Sequence, residues 1–169
     1  MSLDSFGNIA DIVAVPIAIV GLYFVVRQLS LARAESEKEH QRRKNEITLN
    51  AYNAIREDLR ETSFKVREKL HLKNMFDDLN ENHTKKILMD EELKTDVSKM
   101  LSIFERFAVG VQHDVFNINL ISDLSGTVFI QTFKQFKPYI DVVRENSKTF
   151  YIAYEELVKE LETIKDSKQ

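Results

Sequence analysis

The sequence predicts an all-α protein: one N-terminal transmembrane helix, a helical stalk, and a cytoplasmic bundle of four to five helices. Three observations carry that prediction. Residues 9–26, IADIVAVPIAIVGLYFVV, are apolar with one formal charge, Asp11. Downstream, apolar residues recur at steps of three and four, and no alternating run of useful length suggests a strand. The 169 residues include only four Gly and two Pro, too few for a loop-rich β protein or for glycine-rich phosphate loops. The expected divisions are an anchor over 1–28, a basic and polar juxtamembrane stalk over 29–46, and a helical bundle domain over 47–169.

The anchor comes first. At about 1.5 Å per residue the apolar run reaches about 27 Å, enough for a hydrocarbon core. Its leader, MSLDSFGN, has no Lys or Arg and the run ends in bulky Tyr23, Phe24, Val25 and Val26, which argues for a retained anchor over a cleaved signal peptide. The competing reading is a buried core helix. Basic residues follow the run but do not precede it: Arg27, Arg33, Lys38, Arg42, Arg43 and Lys44. Net charge is −2 over 1–26, +3 over 27–44 and −4 beyond. The positive-inside rule then places the N-terminus outside and the rest in the cytoplasm, at the inner membrane, with the basic collar against an anionic inner leaflet. Gly7, Asp11, Ala14, Ala18 and Gly21 form a heptad-like seam of small residues with one acid, the pattern by which helices pack closely in lipid. It suggests a homo-oligomer, with Asp11 turned away from lipid. The alternative is ordinary membrane composition with Asp11 at the interface.

Residues 35–46, ESEKEHQRRKNE, are polar all round and suggest a solvent-exposed helix or, alternatively, a flexible linker. An apolar stripe, Ile47, Ala51, Ile55, Leu59, Val66 and Leu70, marks an amphipathic helix. Residues 73–89 suggest a loop with a short helix around 84–88. Asp90, followed by Glu91 and Glu92, reads as an N-cap for a helix reaching about Gln112. Its Phe104 and Phe107 face the core, and Gly110 permits a close neighbour. Asn117 or Asn119 caps a helix over about 118–136, Pro138 should kink or break it, and a last helix should start at Asn146 or Ser147 with Phe150, Tyr154, Leu157 and Leu161 inward.

Chemistry is sparse. The chain has no Cys, which excludes disulfides, thiolate zinc sites and thiol nucleophiles. Its four His match no metal spacing, and no nucleophile elbow, phosphate loop or dinucleotide fingerprint occurs. His113 beside Asp114 reads as a surface or helix-end pair, and Ser125-Gly126-Thr127 as a close helix crossing. No enzymatic activity, cofactor, metal or nucleic-acid polymer is expected. Glu105, Arg106 and Arg144 stand out as charges in apolar surroundings. They suggest a Glu105 to Arg144 pair, or an Arg106 to carboxylate pair, either fixing helix register or forming part of a ligand or partner site.

The segment VSKMLSIFERFAVGVQHDVFNINLI, with Leu101, Phe104, Glu105, Ala108, Gly110, Val111, Asp114, Leu120 and Ile121, resembles the family called domain of unknown function 4760. So does FKPYIDVVREN, with Tyr139, Ile140 and Arg144. That resemblance implies a helical, membrane-anchored architecture and brings no activity. The expected role is a membrane-tethered oligomeric interaction or sensor module that binds a protein partner or small regulator. The alternative is a membrane effector, pore-forming or depolarising, gated by its cytoplasmic domain.

Overall fold

The computed structural model describes the backbone of residues 4–168 and the side chains of residues 20–168. Among the described residues five helices follow one another: α1 (Asp4–Leu70), α2 (Glu81–Met89), α3 (Glu91–Gln112), α4 (Ile118–Asn146) and α5 (Ile152–Asp166). The described residues contain no strand. The chain divides into two compact units, 1–43 and 44–169.

In the first unit every residue from 20 to 43 is exposed. Val20, Leu22, Tyr23, Phe24, Val25, Val26, Leu29 and Leu31 are each more than half exposed. The stalk is helical rather than a flexible linker, and it is not a separate element, because α1 runs unbroken from Asp4 to Leu70. Among the described residues no helix is long and apolar enough to cross a membrane. Positions 9–19 of the expected anchor lie outside the residues whose side chains are described.

In the second unit α5 packs on α3 and α4, and α2 on α3 and α4, around a core that Val66 and Leu70 of α1 also enter. An aromatic cluster fills its centre. The Phe104 and Tyr154 rings stack at 5.0 Å, while Phe129 meets Phe104 edge-on at 4.7 Å and Phe133 meets Tyr154 edge-on at 5.2 Å. Tyr154 is wholly buried, and its hydroxyl donates to the Phe129 carbonyl at 2.6 Å, so the ring's one polar atom is satisfied.

Helix starts follow local chemistry. Asp90 accepts from the Leu93 N–H at 2.9 Å, and Asn117 from the Asn119 N–H at 2.9 Å. α2 has a reciprocal box: the Asn80 side chain accepts from His83 N–H, and the His83 ring accepts from Asn80 N–H. Two helix ends, those of α1 and α3, use left-handed residues that are not glycine. His71 (φ 56°) closes α1, with Leu72 N–H bonded to the Arg67 carbonyl and His71 N–H to that of Glu68. Asp114 (φ 58°) closes α3 in the same way, through Val115 to Gly110 and Asp114 to Val111. A methyl at Gly110 would overlap the Phe116 ring, so the close neighbour anticipated there is the chain's own returning loop.

Three expectations are corrected. Pro138 does not end its helix: α4 continues to Asn146, with Phe136, Tyr139 and Ile140 buried on either side of the proline and the ring itself exposed. The kink lies instead at Ser125 (φ −157°, ψ 15°), where α4 crosses α5 closely enough that a Cβ on Gly126 would stand 3.3 Å from Lys165 Cε. Ser125-Gly126-Thr127 is thus a helix crossing. The last helix starts at Ile152 and not at Asn146 or Ser147, because left-handed Tyr151 (φ 57°) makes the turn, and Phe150 is 48 % exposed rather than in the core.

The α3–α4 loop is clamped to the second unit's part of α1. Lys44 pairs with Asp114, Asn117 Nδ2 donates to Asn45 Oδ1 at 2.6 Å, and fully buried Thr48 accepts from the Asn117 N–H at 2.9 Å while donating to the Lys44 carbonyl at 2.7 Å. Thr48→Val keeps the shape and removes that acceptor, leaving the partly buried Asn117 N–H unpaired. Urea denaturation should show a loss of about 1–3 kcal/mol, and Thr48→Ser, which keeps the hydroxyl, should lose less.

Candidate functional site

The polar residues singled out in the sequence separate into two jobs. Glu105, on α3, reaches across to the start of α5 and accepts from the Tyr154 N–H at 2.7 Å and the Ala153 N–H at 3.3 Å. It supplies the cap that Tyr151, in the N-cap position with no side-chain bond, cannot. Arg144, near the end of α4, donates to Glu155 Oε2 at 2.6 Å and to the carbonyls of Phe150 (2.8 Å) and Tyr151 (3.0 Å). The expected Glu105 to Arg144 pair is replaced by these two separate contacts, because α5 offers each charge a better geometric match. Arg106 is exposed and reaches only its own helix, donating to the Ser102 carbonyl at 3.4 Å. Glu105 and Arg144 therefore serve the seating of α5, Arg106 does not, and none of the three lines the cavity described next. Of the expected self-association seam, Gly7, Asp11, Ala14 and Ala18 lie outside the residues whose side chains are described; at Gly21 nothing stands within 4 Å of an added Cβ.

A cavity of about 170 Å³ opens elsewhere, between the last turns of α1, the α1–α2 loop, α3 and α4. Phe64, Val66, Met75, Phe76, Met100 and Phe136 give it an apolar wall. Its polar groups are few. Arg60, Ser63, Phe64 and Arg67 lie three or four residues apart and share one face of α1 at the cavity. Ser63 Oγ donates to the Met100 sulfur at 3.4 Å, a weak acceptor. The Arg67 guanidinium lies 5.4 Å from the Phe64 ring centroid, in cation–π range. Arg60 meets Glu57 at 2.6 Å, but both side chains are about three-quarters exposed, so the pair holds it loosely.

The wall contributed by the α1–α2 loop is fixed by two side chains. Buried Gln135 of α4 donates through Nε2 to the carbonyls of Asp77 (2.8 Å) and Met75 (3.2 Å). The Asp77 carboxylate accepts from the backbone N–H groups of Lys73 and Asn74, each at 2.9 Å, and from the Asn74 side chain at 2.9 Å. The Asn74 backbone and side-chain donors are the main reason its carboxyl titrates below the usual range. A non-helical loop is thereby held as a stable surface. Sequence reasoning missed this cavity, since its lining comes from four separate segments whose apolar residues all read as core; the one available signal was Arg60 and Arg67 breaking into the apolar side of α1. Among the described residues no group of three His, Asp or Glu is placed to hold a metal ion.

An all-α domain with a small, mostly apolar pocket and an α-helical extension is the class defined by these features. The family described as Domain of unknown function (DUF4760) matches residues 9–161, and the chain belongs to it. No curated protein and no solved structure matches the chain.

The Arg144 contact carries a pH signature. Hydrogen bonds from Arg144, then from Lys159, lower the Glu155 carboxyl below its ordinary 4.5. A lowered folded-state value means stability that is complete above 4.5 and is lost as pH falls through the lowered value. Arg144→Met should therefore reduce stability at neutral pH and flatten the acid limb of the stability profile, measured by denaturation between neutral and strongly acidic pH. An unchanged acid limb would remove the contact's role.

Proposed function

We propose that this chain is a membrane-tethered interaction or sensor module, anchored by the N-terminal part of α1 and presenting the domain over 44–169 at the cytoplasmic face. The observation that supports it is the sleeve of exposed apolar side chains over residues 20–31, continuous in sequence with the apolar run at 9–19. Eight large apolar groups, each more than half exposed, form a surface that water covers poorly. Lipid is the cover that suits it, because Arg27 lies in its second half and Arg33, Arg42 and Arg43 follow, all exposed, and each basic residue near an anionic leaflet adds about 1 kcal/mol of attraction. Self-association through Gly7, Asp11, Ala14, Ala18 and Gly21 completes the reading as a homo-oligomer. The module needs no chemistry of its own: its pocket binds, and its anchor localises.

Flotation of the full-length chain with vesicles containing anionic lipid tests the tether. The expected result is co-flotation that survives high salt and alkaline carbonate and is reversed by detergent. Recovery in the unfloated fraction, or release by salt alone, would overturn the anchored reading.

A further inference from the structure

We propose that the cavity beside Arg60 and Arg67 is a binding site for a small amphiphilic monoanion, an acyl or aryl carboxylate whose apolar tail has about six to eight carbons. The proposal deepens the sensor reading, and it rests on that reading only for what the binding would report.

Size sets the tail. The cavity holds about 170 Å³. An apolar protein cavity of about 150 Å³ accepts a benzene molecule, so this one takes a ring or a short alkyl chain and not a steroid or a nucleotide. Its wall of Phe64, Val66, Met75, Met100 and Phe136 offers such a tail dispersion contacts, and the two methionines adapt to its shape.

Charge sets the head. Two guanidinium groups and no carboxylate line the cavity among the described residues, although the chain as a whole has 27 acids against 24 bases. Arg67 rests on the face of Phe64 with no ion pair among the described residues, so its fork of N–H donors is available to an incoming carboxylate. Arg60 has only an exposed partner to give up. The Ser63 hydroxyl, now spent on a sulfur, gains by turning to an anionic oxygen. A cation would meet two like charges, only one of them, Arg60, partnered by an acid, the exposed Glu57. The loop wall, tied to α4 through Gln135, supplies a preformed site, so binding orders little new structure.

Methionine methyl groups report the site directly. Of the chain's four methionines, Met75 and Met100 line the cavity, whereas Met89 is 84 % exposed and lies elsewhere. The full-length chain, labelled at the methionine methyl carbons and held in lipid nanodiscs, is titrated with octanoate and, separately, with octylammonium of the same tail length. The expected result is saturable movement of the Met75 and Met100 resonances with octanoate alone, Met89 staying fixed. Arg67→Met, at a partly exposed position, should weaken octanoate about tenfold, the loss of one charge-assisted hydrogen bond. Movement that is equal for both tail-matched probes, absent for both, or insensitive to Arg67→Met would overturn the proposal. Partition of either probe into the lipid moves no cavity resonance to saturation. Failure here leaves the tether standing, because flotation measures that separately.

Discussion

The constraint on which the functional reading depends is uncovered apolar surface on a continuous helix. Residues 20–31 present Leu22, Tyr23, Phe24, Val25, Val26 and Leu29 at half exposure or more, on a helix with no neighbour in the described part of its own unit. An isolated helix derives little stability from propensity alone, so an apolar one needs a surface that accepts it on every side. Lipid does so without requiring a matching face. The charge sequence, acidic then apolar then basic, supports the same proposal in electrostatic terms.

The domain over 44–169 solves a different problem, the seating of a short last helix after a sharp left-handed turn at Tyr151. A residue other than glycine in that conformation costs about 1–2 kcal/mol. Three contacts offset it: Glu105 on the open N–H groups of α5, Arg144 on Glu155 and on the turn's carbonyls, and the Tyr154 ring stacked on Phe104. The charged residues of the core's edge are thereby committed to architecture. At the cavity, by contrast, Arg67 meets apolar surface with only the Phe64 ring against it, which is why we place the proposed binding there.

Legibility in the sequence followed the range of the interaction. Asp90 could be identified as a cap, and the α4 cap narrowed to Asn117 or Asn119, because a cap bonds to an N–H two or three residues away. The helical stripes of α3 and α4 were readable for the same reason. Glu105 and Arg144 could be recognised as exceptional, but their partners could not: Glu105 bonds to backbone N–H groups, which every residue but proline offers, 48 and 49 positions along the chain. The expectation of a kink or break at Pro138 weighed the restriction that proline places on the residue before it, while Phe136, Tyr139 and Ile140 anchor the helix across it through core packing. Ser125-Gly126-Thr127 could be read locally as a close crossing, but not as the place where α4 leaves helical geometry. The cavity, likewise, is the space left between four segments, and only the assembled fold defines it.

The most direct measurement uses the absence of cysteine, which lets a single spin label be placed by Phe24→Cys or Glu57→Cys without other changes. In liposomes, collision of each label with oxygen, which dissolves in lipid, is compared with collision with a water-soluble nickel complex. Lipid burial of the sleeve predicts oxygen-dominated collision at position 24 and nickel-dominated collision at position 57. Nickel-dominated collision at both positions would contradict it.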